Sequence, residues 1–265
     1  MSSTVEQPSP SVEIHHRQGS GPAVLLCEHA SSHIPAHYHD LGLKPEHRRS
    51  HAVWDIGARA VAVKLSAMLD APLVASRVSR LVYDCNRPPE AQSAMPARVE
   101  VIDVPGNHRL TAAQRAARVE AVYRPFCDAV TRLLAERAAH RTPTVLITLH
   151  SFTPSFHGRV RAVEIGILHD VDRRLADAML AQAPRLPHRR IERNAPYGPE
   201  DGVTHSLKRH GIANGLANVM IEIRNDLLAT PEGEEALARE LVQLIRPALA
   251  SLGMTPAAGE GQQDA

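Results

Sequence analysis

Apolar residues in this chain gather into short unbroken runs, and four of these runs stop abruptly at polar side chains. Val145-Leu146-Ile147-Thr148-Leu149 leads straight into His150 and Ser151. Ala23-Val24-Leu25-Leu26-Cys27 leads into Glu28 and His29, and Leu81-Val82-Tyr83 into Asp84-Cys85-Asn86-Arg87. Val219-Met220-Ile221 leads into Glu222-Ile223-Arg224-Asn225-Asp226. A β-branched and leucine-rich run of this length predicts a buried strand of an α/β sheet. Ligands of open α/β sheets bind beyond the carboxyl ends of such strands. Runs that each end in His, Glu, Asn or Arg therefore predict one shared site at one edge of a sheet.

Between the runs the spacing turns helical. Residues 52–69 place Ile56, Ala60, Val63, Leu65 and Met68 roughly on one helical stripe, with Asp55 in the first turn, where the helix dipole favours an acid. Pro72-Leu73-Val74-Ala75 predicts a short strand, and Leu81-Val82-Tyr83 another. Pro88-Pro89 ends regular structure, so residues 88–110 are expected to be a long loop, a lid or a substrate-facing wall. Thr111 and Gln114 have the spacing of a capping box and open a helix to His140, with a kink at Pro125. A strand follows at Ala162–Leu168, a helix at residues 171–182, a turn-rich loop at residues 194–199 and a short helix near His205–His210. Pro231 opens the last helix, to about Leu249. Alternating strands and helices predict an α/β fold: a single three-layer domain, residues 21–252, with a mostly parallel or mixed central sheet and helices on both faces. The Ser/Pro/Gln-rich residues 1–20 and the small, polar residues 253–265 are expected to be flexible tails.

Composition removes several function classes. The formal net charge is +1, which offers no basic stripe for nucleic acid and no field for an anionic membrane. Aromatic residues make up 3%, too few for a stacking platform. Cys27, Cys85 and Cys127 are odd in number, widely spaced and without a CxxC pair, as expected in a reducing compartment. No apolar run nears the roughly 18 residues of a membrane span, and the first residues have no signal-peptide pattern. A cytoplasmic protein acting on a small molecule is expected; its oligomeric state is not legible.

The polar residues at the run ends suit a mononuclear zinc site. Catalytic zinc takes three protein ligands, commonly His with Asp or Glu. His29 and His150 each follow an apolar run, and a carboxylate must complete the set. Asp55 and Glu28 are the candidates. Adjacent residues on an extended chain face opposite ways, which favours Asp55 unless the strand has ended before Glu28. Glu222, a carboxylate inside the apolar stretch VMIEI, is the natural general base. Asn86 and Arg87 offer an amide and a guanidinium fork for a substrate carboxylate. Arg80 assists as an electrophilic donor, sharing a strand face with Val82 and Asp84. Two other readings compete: an amidase with Cys27 or Cys85 as nucleophile, and a non-catalytic module that binds an acidic metabolite.

The segments CEHAS at 27–31, SRLVYDCNR at 79–87, TLHSF at 148–152 and MIEIRNDL at 220–227 together resemble the N-formylglutamate amidohydrolase family, in its less characterised branch. More widely they resemble zinc carboxypeptidase-like amidohydrolases. The resemblance runs from about residue 22 to 249. It implies a zinc carboxypeptidase/phosphorylase-hydrolase-like fold and one zinc ion per chain. It also implies hydrolysis of N-formyl-L-glutamate or a related acidic N-acyl amino acid, a reaction of histidine degradation. By resemblance Asn86 and Arg87 are substrate ligands, Glu222 is the base and acid, and His29 and His150 are the first and last metal ligands. The carboxypeptidase pattern His-x-x-Glu would place Glu at position 32, where this chain has Ser32, so the middle ligand stays open between Asp55 and Glu28. The deformylase branch reads Pro-His-Ser-Gly where this chain has Glu28-His29-Ala30-Ser31, a difference that bears on the substrate.

Overall fold

The structure is a computed structural model and describes residues 11–254. Among these residues the strands in chain order are β1 (Val12–His15), β2 (Ala23–Cys27), β3 (Leu73–Ser76), β4 (Arg98–Val99), β5 (Ile102–Asp103) and β6 (Val145–Phe152). They continue with β7 (Ser155–Phe156), β8 (Arg159–Val160), β9 (Ile165–Leu168), β10 (Ile191–Arg193) and β11 (Asn218–Arg224). The α-helices are α1 (Ala58–Met68), α2 (Ala112–Arg118), α3 (Arg124–Ala139), α4 (Arg174–Leu180) and α5 (Pro231–Ser251). One mixed sheet of seven strands has the order β1-β3-β2-β6-β11-β9-β10. Its centre, β3-β2-β6-β11, is parallel. β1 joins β3 antiparallel, and β9 joins β11 antiparallel with β10 parallel to it.

Two cores sandwich the sheet, as the three-layer expectation requires. Leu25, Leu73, Ile147 and Ile221 pack against α1, α4 and α5 through Val61, Leu65, Leu175, Leu241 and Ile245. Leu26, Val74 and Leu146 pack on the other face against Phe126, Val130 and Leu133 of α3. Period two along β6 puts residues 145, 147 and 149 in the first core and 146 in the second, which sends His150 to the second face. In the parallel ladder His150 lies opposite Glu222 of β11, so the two side chains emerge next to each other on that face. No helix among the described residues is long and apolar enough to cross a membrane.

Several expectations need correction. Leu81-Val82-Tyr83 is buried but is no strand: Val82 N–H bonds the Ser79 carbonyl at 2.9 Å. The carbonyls of Leu81 and Val82 accept from side chains, Asn107 Nδ2 at 2.8 Å and Arg118 Nη1 at 3.2 Å. The run is apolar because it fills the second core; a buried turn demands the same composition as a strand. Asp55 lies before α1, not in its first turn, since Gly57 caps that helix with a φ of 80°. Val12–His15, inside the expected N-terminal tail, is the edge strand of the sheet; residues 1–10 and 255–265, the remainder of the expected tails apart from 11, 16–20, 253 and 254, lie outside the described residues. Residues 88–110 carry short 3₁₀ turns and the β4–β5 ribbon rather than one irregular loop. The helix expected from Thr111 has its capping box, but a π turn over Val119–Tyr123, just before Pro125, divides it.

One glycine shapes the site. Gly166 of β9 pairs with Glu222, and a Cβ there would sit 1.9 Å from the Ala195 carbonyl oxygen. Only a bare backbone lets the loop at residues 194–198 press onto the sheet beside Glu222. Gly166→Ala is expected to lower stability by about 1–3 kcal/mol, the usual cost of overpacking, read as a lower urea midpoint at unchanged slope. An unaltered midpoint would show that the loop does not depend on this contact.

Candidate active site

Three neighbouring strand ends build the site. β2 ends at Cys27, and Glu28 continues its parity while the chain turns so that His29 also faces inward. β6 delivers His150, and β11 delivers Glu222. Asp55 arrives from the segment before α1, whose Asp55 N–H bonds the His29 carbonyl at 3.0 Å. The hydroxyl of Ser151 donates to the Ile56 carbonyl at 2.8 Å and holds that segment against β6.

The donor atoms converge closely. His29 Nδ1 and His150 Nδ1 lie 3.1 Å apart, and Asp55 Oδ2 lies 3.2 Å from the first and 2.9 Å from the second. These three residues are the group among the described residues whose ligand atoms could hold one metal ion. Glu28 is not part of it. Its carboxylate stands behind His150, 3.2 Å from Nε2 and off the line of a hydrogen bond. Asp84 plays the matching part for His29, with Oδ1 2.7 Å from Nε2. A carboxylate bonded to the far nitrogen, as Asp84 is at His29, fixes the ring and leaves Nδ1 available to ligate; Glu28 faces the far nitrogen of His150 as a neighbouring charge without that bond. Without a metal, protons on the imidazoles hold these contacts together; with Nδ1 deprotonated, two nitrogens and a carboxylate oxygen this close form a donor set that fits zinc or a similar divalent ion. Glu28, Asp55, Asp84 and Glu222 are all buried, and the guanidiniums lining the cleft are those of Arg80 and Arg87.

Titration behaviour follows from these contacts. Burial pushes the Asp55 and Asp84 carboxyls up, but His29, with His150 and Arg80 at Asp55 and Arg80 at Asp84, outweighs it and holds both well below the usual carboxylate range. Burial likewise opposes ionisation of Glu28, and His150 brings it below its ordinary value. Burial disfavours a charged His150, yet Glu28 and Asp55 hold it well above the usual histidine range. Glu222 is the exception. Burial, reinforced by Asp55 and opposed by His150, His29 and Arg80, raises it to about 7, and its Oε2 has no hydrogen-bond partner.

The remaining residues surround a cleft of about 170 Å³, lined by the metal-type triad with Arg80, Asn86, Arg87, Ser151, Tyr197, Val203 and Glu222. Arg80 reaches it from the buried turn and not from a strand; Nη1 donates to Asp55 Oδ1 at 3.1 Å and Nη2 to Asp84 Oδ2 at 3.0 Å. The Asn86 amide is spent on the opposite wall, donating to the Val203 carbonyl at 2.6 Å and accepting from Ser206 N–H at 2.9 Å. Arg87 uses Nη1 on the carbonyls of Asn86 and Gly202, at 3.0 and 2.8 Å. His29, Asp55, Arg80, Asn86, Arg87, His150 and Glu222 thus border one cleft, and Glu28, the other carboxylate weighed, does not. Asp84 and Tyr197 were not given roles there. The spacing of Asp84 four residues after Arg80 was a legible signal; nothing local marked Tyr197. None of the three cysteines borders the cleft; all are buried, and burial raises each thiol, so the cysteine reading has no nucleophile.

A family model described as N-formylglutamate amidohydrolase matches residues 21–229. The chain belongs to the N-formylglutamate amidohydrolase family. The gene product Atu2144 of Agrobacterium tumefaciens is 53% identical and superimposes with a TM-score of 0.90, covering 92% of this chain and 96% of its own. The N-formylglutamate amidohydrolase of Ralstonia eutropha JMP134 is 20% identical with a TM-score of 0.67, over 91% of this chain and 97% of its own, and shares the fold. Nothing among curated proteins matches the chain. Membership in the family supports an amidohydrolase, acting on a small molecule.

The carboxylates behind the two imidazoles yield a direct prediction. Asp84→Asn and Glu28→Gln should each weaken zinc binding by about 10–100-fold, as loss of such outer partners does elsewhere, measured by competition with a chromophoric chelator. Affinities within about twofold of the parent for both variants would remove these carboxylates from metal binding.

Proposed function

We propose that the protein is a zinc-dependent amidohydrolase that cleaves N-formyl-L-glutamate or a related acidic N-acyl amino acid to the free amino acid and the carboxylate. The observation that carries this is the convergence of His29 Nδ1, His150 Nδ1 and Asp55 Oδ2 beside Glu222, the buried carboxylate whose pKa is raised towards neutrality. His29, Asp55 and His150 would hold a zinc ion, which would supply Lewis acidity for amide hydrolysis.

The chain's own residues do the rest. Glu222 accepts the proton of the attacking water, a role that suits a base near neutral pKa in a desolvated site. As the carbon–nitrogen bond breaks, Glu222 returns that proton to the leaving nitrogen, the carbonyl carbon keeps the water's hydroxyl as a carboxylic acid, and the acid's proton passes to the freed amine to give carboxylate and ammonium. Arg87, whose Nη1 alone is engaged, turns the rest of its guanidinium to a substrate carboxylate. Asn86 contributes by holding the wall at residues 202–206 in place. Arg80 anchors Asp55 and Asp84 and adds positive field to the cleft. The small cleft and its cationic end suit an acidic amino-acid derivative better than a polymer.

Two variants test the reading with zinc content monitored throughout. Glu222→Gln should keep about one zinc per chain and lose about 10²–10⁴-fold in kcat, the usual worth of a general base; near-normal turnover would overturn the assignment. Arg87→Ala should raise KM for N-formyl-L-glutamate by about 10–100-fold, matching a lost hydrogen bond between charged groups, with kcat little changed. Zinc removal by a chelator should abolish turnover and readdition restore it; full activity in metal-free protein would exclude the proposal.

A further inference from the structure

The chain has only one Trp, four Tyr and three Phe, yet three of these rings surround a single arginine. The Arg161 guanidinium carbon lies 5.5 Å from the Phe152 ring centroid, 4.5 Å from that of Phe156 and 4.9 Å from that of Tyr197. These rings come from the end of β6, from the β7–β8 ribbon and from the loop pressed onto Gly166. Arg161 Nη2 donates to the Tyr197 hydroxyl oxygen at 2.9 Å. That leaves the phenol's own hydrogen without an acceptor among the described residues, on a side chain that borders the cleft together with Glu222 and Arg80. The two terminal nitrogens of Arg80, by contrast, already donate to Asp55 and Asp84.

Resting on the amidohydrolase reading, we infer that Tyr197 is a catalytic residue: its O–H donates to the acyl oxygen of the substrate as negative charge develops there, and Arg161, clamped among the aromatic rings, aims and polarises it. An oxygen that accepts from a guanidinium is a stronger donor through its own hydrogen. A donor aimed at the developing charge acts in the transition state more than in the ground state. Burial and the nearby Glu222 raise the phenol's pKa, which keeps the proton on oxygen at neutral pH. Arg161 is a positioning residue, acting through Tyr197.

The test uses the full-length, zinc-loaded protein. With N-formyl-L-glutamate, Tyr197→Phe should lower kcat by about 100-fold, the scale of one oxyanion donor, at unchanged KM and zinc content. Arg161→Met should lower kcat less, and Arg161→Lys should restore part of the loss. The double variant Tyr197→Phe/Arg161→Met should be no worse than Tyr197→Phe, because the arginine works through the phenol. An unchanged kcat in Tyr197→Phe, or additive losses in the double variant, would overturn the inference. If the unaltered protein binds zinc but hydrolyses neither N-formyl-L-glutamate nor other N-acyl amino acids, the proposed function fails instead. Calorimetric binding of acetohydroxamate, whose oxygens mimic those of the reacting acyl group, then decides on Tyr197. An affinity about tenfold weaker in Tyr197→Phe, the worth of a hydrogen bond to a charged oxygen, would support its donor role, and equal affinities would dismiss it.

Discussion

Everything near the cleft depends on burying like charges at the end of a parallel sheet. Glu28, Asp55, Asp84 and Glu222 are all at most 5% exposed, and none could stay ionised there without compensation. The fold supplies it in graded form. Arg80 bridges Asp55 and Asp84, the imidazoles of His29 and His150 stand between the carboxylates, and the inner nitrogens meet at a spacing that fits a cation. Glu222 receives the least compensation, and its proton affinity rises accordingly. A set of carboxylates kept ionised and one brought close to neutrality is the division that the proposed metal ligation and proton transfer would use.

The walls of the cleft are held by polar side chains spent on backbone. The Asn86 amide and Arg87 Nη1 tie the turn after Asp84 to the carbonyls and N–H of residues 202–206. Asn107 and Arg118 satisfy the carbonyls of the buried turn that carries Arg80 towards the site. On the far side Gly166 admits the loop that bears Tyr197. β6 and the turn after β2 carry the two imidazoles, Asp55 comes from the segment before α1, and Arg87 and Tyr197 lie on loops held by these contacts.

Much of this was legible in the chain itself. Apolar runs that stop at His29, His150 and Glu222 located the strand ends, because a strand buried on both faces must be apolar until it leaves the sheet. The combination of those ends with Asn86 and Arg87 carried the family resemblance, and the alternation of strands and helices carried the three-layer class. The turn at Leu81–Tyr83 was read as a strand because burial, not pairing, dictates its composition. The edge strand Val12–His15 was missed because it is short and half-buried, with little apolar pattern of its own.

The sequence by itself determined which side chains emerge at the sheet's edge: the period of a strand is fixed by backbone geometry and needs no partner to be read. Only the tertiary structure sets Asp55 apart from Glu28, by bringing Asp55 into the group that could hold a metal ion. Glu28 is the neighbour of His29 in the chain, but strand parity carries it behind His150, whereas Asp55 is folded back from 26 residues away to meet both inner nitrogens. The pairing of Asp84 with His29 and of Arg161 with Tyr197 belongs to the same class. Such contacts join segments whose separation along the chain leaves no local periodicity, so packing and the compensation of buried charge, rather than pattern, select them.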